Sequence, residues 1–398
     1  MQIENPFRPG AGHPPPFLAG RTAEQDEMRK LLRQTVITEN LVLTGLRGVG
    51  KTVLLETFKP IAYENHWLWA GNDLSETASI TEQNLATRIL TDIALVTSAI
   101  ITSEVKVSKM GFATQEETVS HPINYEVLRY RFDSTPGLVS DKLKATLEWV
   151  WPMLPHDKLK GIVFAYDEAQ NLSDHAAKDE YPLSLLLEVF QSLQRKKIPY
   201  LLILTGLPTL FPKLVEARTY AERMFHIIFL KQLSDKDSED AINIPIQKEK
   251  SLLTFSQDAV RIIVSLSGGY PYFIQFICKE VFDIWIPKLE QGEIPGTFLP
   301  SDDILRKLDT DFFQGRWAKA TDRQRDLLTL VSTLPNCEDE FTVQEIASAS
   351  KNTQKPFSSS HIIQMLASLA DAGLVYKNRH GKYALAVPLL SRFIRRSE

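Results

Sequence analysis

The sequence predicts an α/β fold: a parallel sheet flanked by helices, then a helical segment, then a small C-terminal module. Three observations lead there. Short apolar runs alternate with helical segments from the N-terminal part to about residue 230, the pattern of strands joined by crossover helices. Two of these runs, Leu41–Thr44 and Gly161–Tyr166, lead directly into a glycine-rich loop and a pair of carboxylates, respectively. From Ser234 onward the pattern turns helical and closes in the order helix, helix, helix, hairpin.

The chain has 398 residues, 43% hydrophobic and 24% charged, the composition of an ordinary soluble globular protein. That length gives room for two or three domains of roughly 100–200 residues. No run of about 18 apolar residues is present, so no membrane span is expected. Met1–Pro6 has neither a basic start nor an apolar stretch, unlike a secretory signal. The only cysteines, Cys278 and Cys337, lack metal-ligand spacing and fit a reducing cytoplasm. The net charge of −4 and pI near 6.1 exclude a dedicated nucleic-acid coat, so any nucleic-acid contact needs a local patch.

Residues 1–20 are rich in Pro and Gly around Pro14-Pro15-Pro16, where no helix can run. They read either as an extended arm able to cover a bound base or as a flexible tail. Gly20-Arg21-Thr22 opens a helix to about Arg33. Leu41–Thr44 reads as a buried strand and Val53–Phe58 as a helix start. Between them, Gly45-Leu46-Arg47-Gly48-Val49-Gly50-Lys51-Thr52 fits G-x-x-x-x-G-K-[ST], the phosphate-binding P-loop. The glycines let backbone N–H groups turn inward, and the helix N-terminus adds partial positive charge. Lys51 is placed to reach the β- and γ-phosphates, and the Thr52 hydroxyl to sit on Mg²⁺.

Trp67–Ala70 reads as the next strand and Leu85–Ile100 as a helix. Residues 102–136 read as an insertion in which Val105 and Val107 alternate with polar residues like an exposed strand. A helix from Leu138 to Met153 ends at Pro152 and Pro155. Gly161–Tyr166 is a buried parallel strand whose C-terminal end carries Asp167 and Glu168, the edge where open α/β sheets bind ligands. Asp167 fits the carboxylate that holds Mg²⁺ through water, and Glu168 the base that orients attacking water. Pro182–Arg195 is a core-facing helix, and Tyr200–Gly206 a further buried strand. Its Thr205 either contacts the γ-phosphate or attacking water, or caps the following segment. An Arg-bearing stretch, Ala217–Phe225, precedes the strand His226–Leu230.

Ser256 caps a helix ending at Gly268-Gly269, Tyr270-Pro271 starts another to about Trp285, and a helix near 302–313 follows. In the last module helices are expected over Asp322–Leu334, from Phe341-Thr342 to Ala349, and from Ser358 to Asp371. A hairpin at Leu374–Val387, turning at Asn378–Gly381, completes a winged helix-turn-helix.

In this order, the P-loop, Asp167-Glu168, a polar strand end, an Arg-bearing segment, a helical lid and a winged helix resemble AAA+ ATPases of the origin-recognition-like and STAND clade. The resemblance covers nearly the whole chain. It implies a P-loop NTPase sheet with an α-helical lid and a winged helix-turn-helix domain. The implied divisions are an arm at 1–20, an ATPase core at 21–233, a lid at 234–315 and the winged helix at 316–398. Gly20-Arg21 looks like the motif that opens such a core beside the adenine, and Asp167-Glu168-Ala169-Gln170 is similar to the Walker-B signature of transposition and secretion ATPases. By resemblance Thr205 is sensor 1, Arg223 a candidate arginine finger with Arg218 as its rival, and Pro271 the lid proline near the base. Gly45, Gly48, Val49, Gly50, Lys51, Thr52 and Val53 would hold ATP, with Thr52 and Asp167 on Mg²⁺.

One residue departs from the pattern. Initiator-type members carry an arginine after the lid proline; here Tyr272 stands there and cannot offer a cation to the γ-phosphate. This favours a STAND-like switch in which nucleotide holds a conformation and hydrolysis is slow. Residues 351–398 hold eight basic residues (Lys351, Lys355, Lys377, Arg379, Lys382, Arg392, Arg395 and Arg396) against Asp371 and Glu398, a local net of +6. Lys377, Arg379, His380 and Lys382 lie on or beside the wing, where phosphate contacts are made. The third helix, with Gln364, Ser368 and Asp371 outward, offers no arginine for base reading. The expected partners are ATP, a second copy of the chain, DNA through the winged helix, and a protein effector encoded nearby. The rivals to an ATPase switch are a DNA-binding regulator or loader ATPase of transposition, replication or anti-phage type, and a nucleotide-dependent adaptor that does not hydrolyse.

Overall fold

The computed structural model describes residues 4–10, 12–110, 113–292, 299–351, 353–379 and 381–397. Two compact units make up the chain. A sheet unit comprises Thr22–Thr44 and Leu54–Phe229, and a helical unit comprises Met1–Arg21, Gly45–Val53 and Leu230–Glu398.

The sheet unit is built on five strands: β1 (Asn40–Gly45), β2 (Trp67–Ala70), β5 (Gly161–Tyr166), β6 (Tyr200–Gly206) and β7 (Phe225–Leu230). Their order is β2-β5-β6-β1-β7, and β2, β5, β6 and β1 pair in parallel. Every residue of β1, β5 and β6 is buried, because helices cover both faces of a parallel sheet. That is why these strands read as continuous apolar runs. Asn40 is one of the buried polar exceptions, with Thr44 and Thr205. Its amide exchanges hydrogen bonds with Gln194, accepts from the Leu202 N–H at 2.8 Å and donates to Met224 O at 3.3 Å, locking the start of β1 to its neighbours. The helix Pro182–Arg195, as expected, turns Leu186, Val189, Phe190 and Leu193 inward, and Phe190 meets Phe164 edge-on at 5.1 Å.

Residues 102–136, expected as an insertion with an exposed strand, fall in a long antiparallel hairpin and a helix. The strands are β3 (Ile101–Met110) and β4 (Ala113–Pro122), paired from Ile101↔Pro122 to Met110↔Ala113. The helix Tyr125–Ser134 follows, capped by Asn124.

In the helical unit the Pro-rich arm is anchored. Phe7 is buried against Phe282, with ring centres 5.3 Å apart. Asn5 donates to Lys279 O and to Asp283 on the helix Pro271–Glu290. Helices Asp235–Lys248, Gln257–Ser267 and Ser301–Leu308 pack into the same core. Ser256 caps Gln257–Ser267 as expected, and Gly268, at φ 57°, closes it in the left-handed region where glycine is tolerated. The expected helix near 302–313 changes character: after Leu308 the segment Asp309–Gln314 is a π-helix.

The C-terminal part contains the helices Asp322–Ser332, Val343–Ser350 and Ser359–Asp371 and the strands β8 (Phe341–Thr342), β9 (Val375–Arg379) and β10 (Lys382–Leu385). The strands form a sheet in the order β8-β10-β9. A closing helix, Leu390–Ser397, buries Leu390, Phe393 and Ile394. Cys278 and Cys337 are free and buried. Among the described residues no helix is long and apolar enough to cross a membrane.

Candidate functional site

Each unit carries part of the expected constellation. Gly20, Arg21, Gly45, Gly48, Val49, Gly50, Lys51, Thr52, Val53 and Pro271 fall in the helical unit; Asp167, Glu168, Thr205 and Arg223 fall in the sheet unit.

The glycine loop follows β1 and turns at Lys51 into the helix Lys51–Glu64. Gly48 (φ 78°) and Gly50 (φ 90°) adopt backbone angles that side chains disfavour. Beside Gly50 the space a Cβ would enter is open, as a loop that receives a ligand against its backbone requires. A Cβ on Gly48 would instead come within 3.2 Å of Tyr272 Cβ. The Lys51 ammonium donates to Gly45 O at 3.0 Å and Leu46 O at 2.9 Å. Thr52 and Val53 lie in the first helical turn.

Two outside groups brace the loop. The buried Arg21 guanidinium donates to Val49 O at 3.1 Å and Lys231 O at 2.8 Å. Arginine can hold two carbonyls at once because its donors form a planar fork. Gly20, at φ 63°, brings the arm so close to Asp237 that a Cβ would lie 2.7 Å from that carboxyl carbon. The second brace is the helix Pro271–Glu290. Pro271 occupies its first turn, where a missing N–H costs nothing. Tyr272, next along, donates its otherwise unpaired N–H to Gly48 O at 3.2 Å.

In the sheet unit, β6 lies between β1 and β5, and the register pairs Leu43 with Thr205 and Tyr166 with Leu204. Thr205 and Asp167 therefore share the C-terminal edge of neighbouring strands. Asp167 is buried, and its Oδ1 accepts the Glu168 N–H at 2.8 Å. The Thr205 hydroxyl is buried with no hydrogen-bond partner among the described residues, as is that of Thr44 at the end of β1. Leaving such a group unsatisfied costs about 1–3 kcal/mol.

Glu168 is exposed and left-handed, with φ 52° and ψ 32°, a conformation that costs a non-glycine residue about 1–2 kcal/mol. Gln170 holds its carboxylate: the Gln170 amide N–H donates to Glu168 Oε2 while Gln170 Oε1 accepts the Leu207 N–H at 3.1 Å. Gln170 thus ties the carboxylate to the loop after β6. The signature Asp167-Glu168-Ala169-Gln170 by itself assigns Gln170 no role; its position two residues after Glu168 is the signal that it can reach that carboxylate.

Arg223 is not brought to this edge. It lies in the short helix Ala221–Met224, whose Met224 carbonyl meets Asn40 at the opposite end of β1. With Arg195, Tyr220, Gln191 and Gln194 it lines a cavity of about 400 Å³. Among the described residues Arg223 makes no ion pair, whereas Arg218 stands 3.5 Å from Glu188.

The cations of residues 351–398 are paired more than their count suggests. Arg379 grips Glu340 with two nitrogens, at 3.1 and 2.7 Å. Arg392 pairs with Glu338 at 3.1 Å and Arg396 with Asp309 at 2.5 Å. All three acids lie outside 351–398. His380 and Glu398, counted above, are outside the described residues. The outward face of Ser359–Asp371 carries Gln364, Ser368, Asp371 and a half-exposed Ile363.

Comparison with solved structures identifies the fold. The ADP form of the Aeropyrum pernix ORC2 protein aligns with a TM-score of 0.55 at 13% identity, covering 98% of this chain and 97% of that one. The same protein in its ADPNP-ADP complexes aligns with a TM-score of 0.52 at 14% identity, covering 97% and 95%. The chain thus shares the α/β fold, with its five-stranded sheet, of these ORC2 structures. Residues 310–394 match the family described as Domain of unknown function (DUF8462). Comparison with curated protein sequences finds no match.

Proposed function

We propose that the protein is an AAA+/STAND-type ATPase switch. It binds Mg²⁺-ATP, hydrolyses it slowly, and uses the nucleotide state to control self-association and engagement of a partner through the C-terminal winged helix. The observation that carries this reading is the braced glycine loop: open at Gly50, backed by a helix N-terminus, and held by Arg21 and by the Tyr272 N–H. The neighbour of the same fold, ORC2, is described with ADP and ADPNP bound.

Lys51 and the loop N–H groups bind the phosphates. Thr52 and Asp167 offer the hydroxyl and carboxylate that suit Mg²⁺, an ion usually held by few protein oxygens plus phosphate. Bound there, the ion would neutralise charge on the phosphates. Glu168, oriented by Gln170, accepts a proton from attacking water, and Thr205 supplies a hydrogen bond at the same edge. Arg21 supports the loop through its carbonyls.

The test is nucleotide binding by Lys51→Ala. The variant is expected to keep the parent's circular dichroism and melting temperature and to lose ATP binding in calorimetry. Unchanged affinity would remove the basis of the reading.

The arginine–carboxylate pairs of the C-terminal part favour a protein partner over DNA. With Arg379, Arg392 and Arg396 engaged, fewer cations remain to displace counterions from a duplex. Tight, ATP-dependent binding to non-specific duplex that weakens steeply with salt would instead favour the loader or regulator reading.

A further inference from the structure

Position 272 offers the lid no cation, yet Arg316 of the helical unit stands near it, and Arg47 of the glycine loop acts on Arg316. Arg316 follows the π-helix Asp309–Gln314, a rare geometry often found at functional sites. Its guanidinium lies 4.2 Å over the Phe312 ring and donates to Phe312 O at 2.5 Å. Phe312 in turn stands 5.4 Å from the Tyr272 ring, centre to centre, and 4.9 Å from that of Phe273. Tyr272 holds the loop through Gly48 O. A continuous series of contacts therefore runs from Arg316 through Phe312 and Tyr272 to the glycine loop.

The loop contributes Arg47, exposed and one residue before Gly48. Among the described residues neither Arg47 nor Arg316 has a carboxylate within ion-pair distance, although acids neutralise many of the chain's other arginines. Burial, and next the positive charge of Arg47, pull Arg316 below the usual guanidinium range. Two cations held near each other without an ion-pair partner among the described residues are poised for an anion, although Asp311 acts on the neighbouring Tyr272. Among the described residues one of Arg316's five donors is used, on Phe312 O, which leaves a fork suited to phosphate.

We infer that Arg316, with Arg47, contacts the terminal phosphate of a bound nucleoside triphosphate, supplying from beyond the lid the charge that Tyr272 lacks. This inference rests on the nucleotide-binding reading above. The loop and Lys51 serve diphosphate and triphosphate alike, so a cation acting on the terminal phosphate separates the two ligands. The π-helix would then carry nucleotide state directly into the segment that opens the C-terminal part.

The experiment measures ATP and ADP affinities of the full chain with Mg²⁺, for the parent, Arg316→Gln, Arg316→Lys and Arg47→Gln. Arg316→Gln keeps a polar group over Phe312 without the charge. It is expected to lose about tenfold or more in ATP affinity with ADP affinity changed less than twofold, since a charge-assisted hydrogen bond contributes about 1.5–3 kcal/mol. Arg316→Lys should recover part of the loss, and Arg47→Gln, at an exposed position that leaves the fold undisturbed, should show the same bias. Unchanged affinities, or equal losses for ATP and ADP in both glutamine variants, overturn the inference while leaving the site reading intact. A parent that binds neither nucleotide overturns both.

Discussion

At the scale of single residues, the carboxylate edge shows groups held in costly states. Glu168 keeps a left-handed backbone and Thr205 a buried hydroxyl with no partner among the described residues. Strain that surrounding structure maintains points toward function, because stability alone would remove it. Glu168→Gln is expected to keep ATP affinity within a few-fold and to reduce turnover by about 10²-fold or more, the usual contribution of a positioned base. Gln170→Leu keeps the bulk but releases the carboxylate; it should lower turnover by about tenfold to 10²-fold with affinity preserved. Phosphate release paired with calorimetry checks both. A fall in affinity equal to the fall in turnover would mean that these residues serve binding instead.

At the scale of elements, the strand that carries Asp167 is backed by a buried ionisable group. Asp92, on the helix Glu82–Thr97, is buried against Tyr166 and paired with Arg88 at 3.0 Å. Burial pushes its carboxyl up to about 6 despite that pairing, and burial of the ring, then the Asp92 charge, hold the Tyr166 phenol well above its usual range. The folded state therefore takes up the proton more readily than the unfolded chain, whose value is near 3.8. Stability from this group is fully present below about pH 4 and is lost as pH rises through about 6. Asp92→Asn should thus be more stable than the parent at pH 8, by up to about 3 kcal/mol, with the difference vanishing toward pH 4. Urea unfolding at both pH values measures this. An equal effect at the two values would show that packing, and not charge, sets the role of Asp92.

At the scale of the whole molecule, Arg223 bears on assembly. It stands at the opposite end of β1 from Thr205, with no ion pair among the described residues, so its own unit gives it no use at the carboxylate edge. Its rival Arg218 faces Glu188. If Arg223 serves a neighbouring copy, Arg223→Ala should hydrolyse ATP at least about 10³-fold more slowly with binding unchanged. Mixing it with Lys51→Ala should then restore part of the activity, since each variant supplies what the other lacks. Failure to complement, with Arg223→Ala as active as the parent, would return Arg223 to a structural role.

The sequence alone determined the strands, the glycine loop and the paired carboxylates. Buried parallel strands must be apolar throughout, phosphate loops need glycine at set positions, and helix caps need particular side chains. Those demands are local, so Tyr200–Gly206 and Pro182–Arg195 were readable to the residue, and the strand Gly161–Tyr166 to within one. The stretch 102–136 was less legible, because a hairpin whose ten-residue strands pair mainly with each other shows no sheet-core pattern. The tertiary structure alone decided which groups meet across long separations. Arg21 reaches Lys231, Tyr272 reaches Gly48, and Arg379 finds Glu340. The positive count of residues 351–398 misled for the same reason: charge in a sequence window adds up, but the field at a surface depends on partners that folding brings from elsewhere.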